Sequence, residues 1–158
     1  YQAANTATYG DITFDSAVAT EISLKADGTQ SRNMTDNSYV GAKQTVTYTS
    51  GATRTEASDT AAVVLNLSPK VKTAATGFAL SSDGIVSVGA NPNTEPRGGF
   101  VVTVTVTGEG SKTATRDFTF SQQGSSSYIS LTPESLTFVA AGESKTLTIE
   151  SNDSWTLE

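Results

Sequence analysis

The side chains able to do chemistry in this chain are carboxylates, hydroxyls and amides, because its 158 residues contain neither histidine nor cysteine. Without histidine there is no common general base, no serine triad of the usual kind and no ordinary zinc site. Without cysteine there is no thiolate nucleophile, thiolate metal site or disulfide. Hydrolytic chemistry would rest on two carboxylates held at a fixed separation across a cleft. Asp11 and Asp15 lie close in sequence around Phe14, and Asp27, Asp36 and Asp83 each sit in a turn context. Asp27-Gly28 and Asp83-Gly84 are turn dipeptides whose carboxylates bond locally, and no run of alternating aspartates forms a calcium loop. Arg116 and Asp117 are expected to make cross-strand surface pairs. The expectation is a non-enzymatic chain with no metal and no cofactor.

Binding chemistry has better candidates. Tyr39 stands in a polar loop with Asp36 and Asn37, and with Arg97 these residues would line a polyol-binding loop end. Trp155, the single tryptophan, offers a ring face that can stack on a sugar. The remaining tyrosines, Tyr1, Tyr9, Tyr48 and Tyr128, are dispersed. Sixteen acidic against 10 basic residues give a net charge of −6, spread along the chain without runs. Such a surface repels phosphate backbones and anionic lipid, which argues against nucleic acid and membrane-surface partners. No segment is long and apolar enough to span a bilayer, so no membrane insertion is expected. Tyr1-Gln2 does not open a signal peptide, and the chain reads as a soluble mature or excised form. Serine and threonine exceed a quarter of the residues, the composition of an exported or virion β-protein.

The elements that must position these groups are strands. Gly98–Gly124, GGFVVTVTVTGEGSKTATRDFTFSQQG, carries the longest strict apolar–polar alternation and predicts a hairpin. Phe100, Val102, Val104 and Val106 share one face, and Ala114, Phe118 and Phe120 resume it, with Arg116 the one charge in that row. A three-residue loop Glu109-Gly110-Ser111, with Gly110 at positive φ, places Val102 opposite Phe118 and Phe100 opposite Phe120. Earlier strands are expected at Ile12–Phe14, Ala19–Lys25 and Lys43–Ser50, the last with Val46 and Tyr48 inward. Ser31–Gly41 reads as loop with a short strand near Met34 or Tyr39-Val40. Ala61–Ser68 reads as a strand buried on both faces and stopped by Pro69. Phe78–Ser81 and Ile85–Val88 pair around Asp83-Gly84, and Asn91–Gly99 is loop. Single helical turns within Ser58–Leu67 or Pro69–Phe78 are the only helical options. Short strands at regular spacing predict an antiparallel, all-β sandwich.

Gly124-Ser125-Ser126-Ser127 has linker composition and divides the chain. The tail after it holds three or four strand-like pieces, too few for a stable sheet of its own. Leu131-Thr132-Pro133 before Leu136-Thr137-Phe138, Ala141-Gly142 before Lys145–Ile149, and Asn152-Asp153-Ser154-Trp155-Thr156 resemble the opening part of a BACON domain, a β-sandwich module of Bacteroidota surface proteins and of their phages. Gly84–Val88 with Asn91, Arg97, the Val-Thr alternation and Gln122-Gln123-Gly124 is similar to the bacterial immunoglobulin-like modules that often precede such domains. The resemblance implies spacer, adhesion or glycan-contacting roles, or decoration of a virion. It also implies that Trp155 packs into a sandwich core, against the sugar-stacking alternative. Asp15-Ser16-Ala17 and Asp59-Thr60-Ala61 resemble the O-glycosylation acceptor of exported Bacteroidota proteins, on Ser16 and Thr60.

The expected organisation is an extended lead-in over 1–9, an immunoglobulin-like antiparallel sandwich over 10–124, a linker over 125–127 and a partial BACON-like sandwich over 128–158. The expected role is a non-catalytic extracytoplasmic module, at the cell surface or secreted, that binds glycan or a surface protein. The alternative is a structural subunit of a virion or surface appendage that self-associates through its tail, since strand edges left open invite strand addition.

Overall fold

The computed structural model describes residues 6–48, 53–56 and 63–158. Strands β1 (Ala7–Phe14), β2 (Glu21–Leu24) and β3 (Ser31–Asn33) are followed by one helical turn, α1 (Asn37–Val40). Next come β4 (Ala42–Tyr48), β5 (Thr53–Glu56), β6 (Asn66–Thr73), β7 (Phe78–Leu80) and β8 (Ile85–Val88). Two long strands, β9 (Arg97–Thr107) and β10 (Thr113–Gln122), precede the short β11 (Ile129–Thr132) and β12 (Thr148–Ser151). The fold is all-β. Its principal sheet runs β2-β10-β9-β6, and two three-stranded sheets, β1-β4-β5 and β3-β8-β7, complete the body, while β11 and β12 pair separately.

The β9–β10 hairpin is the centre of the molecule. Phe118 faces Val102 and Phe120 faces Phe100, as alternation predicts. Val102, Val104, Val106, Phe118 and Phe120 are fully buried, and one continuous core joins them to Ile12, Ile22, Val40, Val46 and Val86 from the other sheets. Phe78 of β7 stacks on Phe100 with centroids 5.3 Å apart, closing the core from the opposite layer. The loop is bounded by the Gly108 amide donating to the Lys112 carbonyl, and Gly110 has φ +67°. Ser111 also lies at positive φ, 60°, which alternation does not signal. Gly99, at φ +81°, is the extra residue where Phe120 pairs with Phe100 but Ser121 pairs with Gly98.

Several expectations are corrected. The antiparallel rule fails at one ladder: β2 pairs parallel with β10, Phe120 meeting Ile22 and Gln122 meeting Leu24. Pro69 does not stop a strand but lies within β6, at the edge of the principal sheet, where a missing N–H is tolerated. Val63 and Leu65 are buried but Val64 is 61% exposed, so this run is one-sided and precedes β6. The short strand of the 31–41 segment is Ser31–Asn33, and Tyr39-Val40 belongs to α1. Asp36 caps that turn by accepting from the Ser38 amide at 2.9 Å, and Gly41 ends it at φ +73°. In the tail, Ser135–Phe138 and Asn152–Glu158 form no strand, leaving two strands there. Ser58–Thr60, the start of one helical option, and the Tyr48 side chain lie outside the described residues, while Pro69–Thr73 is strand. Strand β1 begins at Ala7, so part of the expected lead-in pairs with β4.

Buried polar side chains fasten the sheets. Gln44 donates to the carbonyls of Gly10 and Glu109 and accepts from the Glu109 amide at 2.9 Å, tying the hairpin loop to β1. Gln122 donates to the carbonyls of Lys25, Ala26 and Gly89. Both are fully buried with their amide groups engaged, the condition for tolerating a polar group in a core.

Candidate functional site

The residues grouped by sequence each have partners within the fold, with Asp36, Asn37 and Tyr39 together at α1. Tyr39, on α1, carries the Arg32 guanidinium 4.5 Å from its ring centroid. Arg97 donates to Gln122 Oε1 at 2.8 Å and to the carbonyls of Gly89 and Ala90, so its guanidinium is occupied by the fold. The turn bearing Tyr39 meets β10 at Arg116, six residues before the Gln122 that holds Arg97. Arg116 itself is no surface pair. It turns inward and donates to the carbonyls of Asp15, Val18 and Val40, with its guanidinium 5.4 Å from the Phe14 centroid. Asp117, on the opposite face, makes the expected cross-strand contacts, to Thr103 at 2.6 Å and Lys72 at 2.5 Å.

Asp11, Asp15, Asp27 and Asp36 are engaged in turns and ion pairs. Asp11 meets Lys112 at 3.0 Å and Asp15 meets Lys43 at 3.6 Å. The Ala17 amide and then the Lys43 ammonium hold the Asp15 carboxyl below its ordinary range. Asp27 is lowered by the Thr29 amide and hydroxyl, Asp36 by the Ser38 hydroxyl and amide, and Asp117 by the bonds from Lys72 and Thr103. Among the described residues no three acidic side chains converge to hold a metal ion. Ser16 is exposed in the Asp15–Val18 turn; Thr60 lies outside the described residues.

What the fold does assemble is an open cleft of about 760 Å³ where the Asn91–Glu95 loop faces the start of the tail. Buried Asn91 shapes the loop, donating to the carbonyls of Glu95 and Gln123 and accepting from the Asn93 amide. The Asn93 carbonyl receives the amide and hydroxyl of Ser125. Ser125 Oγ accepts from Asn152 Nδ2 at 2.9 Å, and Asn152 also donates to the Ser126 carbonyl and accepts from the Tyr128 amide. The serine run is therefore not a free linker: hydrogen bonds tie it to the loop on one side and to the tail turn on the other. Gly124 is required there, because a Cβ on it would stand 1.8 Å from the Thr94 carbonyl oxygen.

Ser126, Tyr128, Ser151, Asp153 and Ser154 line the tail side of the cleft. A second depression of about 270 Å³ continues past Tyr128 and Ile129 to Trp155. Tyr128 is 55% and Trp155 48% exposed, so Trp155 is not the core residue that the resemblance implies. Of the three proposed binding residues, only Trp155 borders this region. Tyr128 and the Asn91–Glu95 loop were not foreseen as site residues. The sequence signal for them is Asn91-Pro92-Asn93, a loop rich in side chains that bond their own backbone, facing the serine run.

Compared with known proteins, the chain matches no protein family, no curated protein and no solved structure. Among the described residues no helix is long and apolar enough to cross a membrane.

Proposed function

We propose that the chain is a non-catalytic extracytoplasmic interaction module that binds glycan in the cleft between the Asn91–Glu95 loop and the 151–154 turn. The observation that carries this reading is the conjunction of a polar cleft with two half-exposed aromatic rings, Tyr128 and Trp155, at its side. Hydroxyl, amide and carboxylate groups match the alternating donors and acceptors of a sugar, and a flat ring covers its apolar face. A volume of about 760 Å³ falls within the range of small-ligand sites. The hydrogen bonds that fix Ser125 and Asn152 hold the walls before a ligand arrives, which lowers the ordering cost of binding. Resemblance to immunoglobulin-like and BACON modules agrees with a cell-surface or secreted setting, as an association of fold type with role.

A glycan array probed with the full chain tests this. Binding that falls at least about tenfold in Tyr128→Ala and Trp155→Ala supports it; absence of binding to every glycan overturns it.

One observation favours the structural reading, a subunit of a virion or appendage. Ile129 and Leu131 of β11 are exposed on one face, Leu131 opposite Ile149 of β12 and Ile129 opposite Ser151, and Leu147 just before β12 is exposed as well. An apolar face of this kind suits self-association. Light scattering over a concentration series, on the full chain and on one ending at Gly124, separates the two. Assembly that requires the tail favours the subunit.

A further inference from the structure

We infer that the cleft takes an uncharged, hydroxyl-rich glycan and rejects glycans bearing carboxylate or sulfate groups, an inference that rests on the glycan-binding reading above. Among the described residues, Glu95 and Asp153 are the only acidic or basic residues lining the cleft, and no lysine or arginine joins them. Arg97, the basic residue two positions beyond Glu95, is turned away and spent on Gln122 Oε1 and the carbonyls of Gly89 and Ala90. An anionic sugar therefore finds no cation to pair with and two carboxylates to face. A neutral sugar finds the reverse: carboxylates are strong acceptors for its hydroxyl donors. Asp153 is held in place, its Oδ2 accepting from Ser127 Oγ at 3.1 Å and its Oδ1 from the Ser154 amide at 2.8 Å, and each oxygen keeps capacity for a further donor. At physiological ionic strength the screening length is about 8 Å, so charges lining one cleft act on its occupant while most of the remaining surface charge is screened.

The test is an array of matched glycans bound to the full chain, each neutral oligosaccharide presented beside its sialylated, sulfated or uronate counterpart. The expected result is binding of neutral members about tenfold tighter than their acidic counterparts, equivalent to about 1.4 kcal/mol of discrimination. Glu95→Gln is expected to narrow that gap by admitting acidic members. Equal or tighter binding of acidic members, or a gap unchanged in the Glu95→Gln, Asp153→Asn double variant, overturns the charge assignment and leaves glycan binding standing. Absence of binding to every glycan, neutral or acidic, overturns the glycan reading and this inference with it.

Discussion

Arg116 shows how one side chain can carry a long-range constraint. Its guanidinium gathers the carbonyls of Asp15, Val18 and Val40, three points that no backbone ladder joins to β10. Arg116→Met keeps the stem but orphans those acceptors, and urea unfolding is expected to show a loss of about 2–3 kcal/mol, with Arg116→Lys recovering only part of it. The alternation of β10 puts Arg116 on the inner face, but contacts 76 to 101 residues away in sequence cannot be read from it. The carboxylates make a second residue-scale case. Asp15, Asp27, Asp36 and Asp117 all have folded-state pKa values below the ordinary 3.8. The folded state then binds fewer protons than the unfolded one near pH 4, so their contribution is present above that range and is lost as pH falls through the lowered values. Unfolding midpoints measured from pH 6 down to pH 2 should decline, and Asp36→Ala should flatten part of the decline while lowering the plateau.

At the scale of elements, the hairpin was legible and the edges were not. Strict alternation in Phe100–Thr107 and Ala114–Phe120 fixed both faces and the register, because a strand with one buried side cannot slip by a residue without exposing its core row. Phe118→Ala is therefore expected to cost about 3–5 kcal/mol, against under about 0.5 kcal/mol for Ile129→Ala on the open β11; chemical denaturation of both variants checks the contrast. Pro69 misled because the rules for central and edge strands differ, and edge position is a tertiary fact; the Val63–Leu65 run misled because a continuous apolar run can lie outside any strand with its middle residue exposed. The Ser125–Ser127 segment misled in another way. Linker composition describes a chain without partners, and here Asn93, Asn152 and Asp153 supply them. Gly124→Ala tests this junction: it should open the Asn91–Glu95 loop and weaken glycan binding while leaving the unfolding midpoint of the sandwich within a few degrees.

For the whole molecule, every member of the buried core among the described residues precedes Gly124, from Ile12 to Phe120. Removing residues 125–158 is thus expected to preserve cooperative unfolding and near-native stability while abolishing binding at the cleft, a pairing that calorimetry and the glycan array read separately. In the sequence, composition sets the Ser125–Ser127 segment apart, but the cleft arises from two segments that meet only in the fold. The placement of β10 has a mechanical consequence. This strand is flanked by β9 on one side and by the parallel β2 on the other, and it leads directly into the tail. A pull on the tail acts along β10, across hydrogen bonds that run roughly perpendicular to it. Both ladders resist in shear at once, with the Arg116 and Gln122 side chains as further cross-ties between β10 and its surroundings.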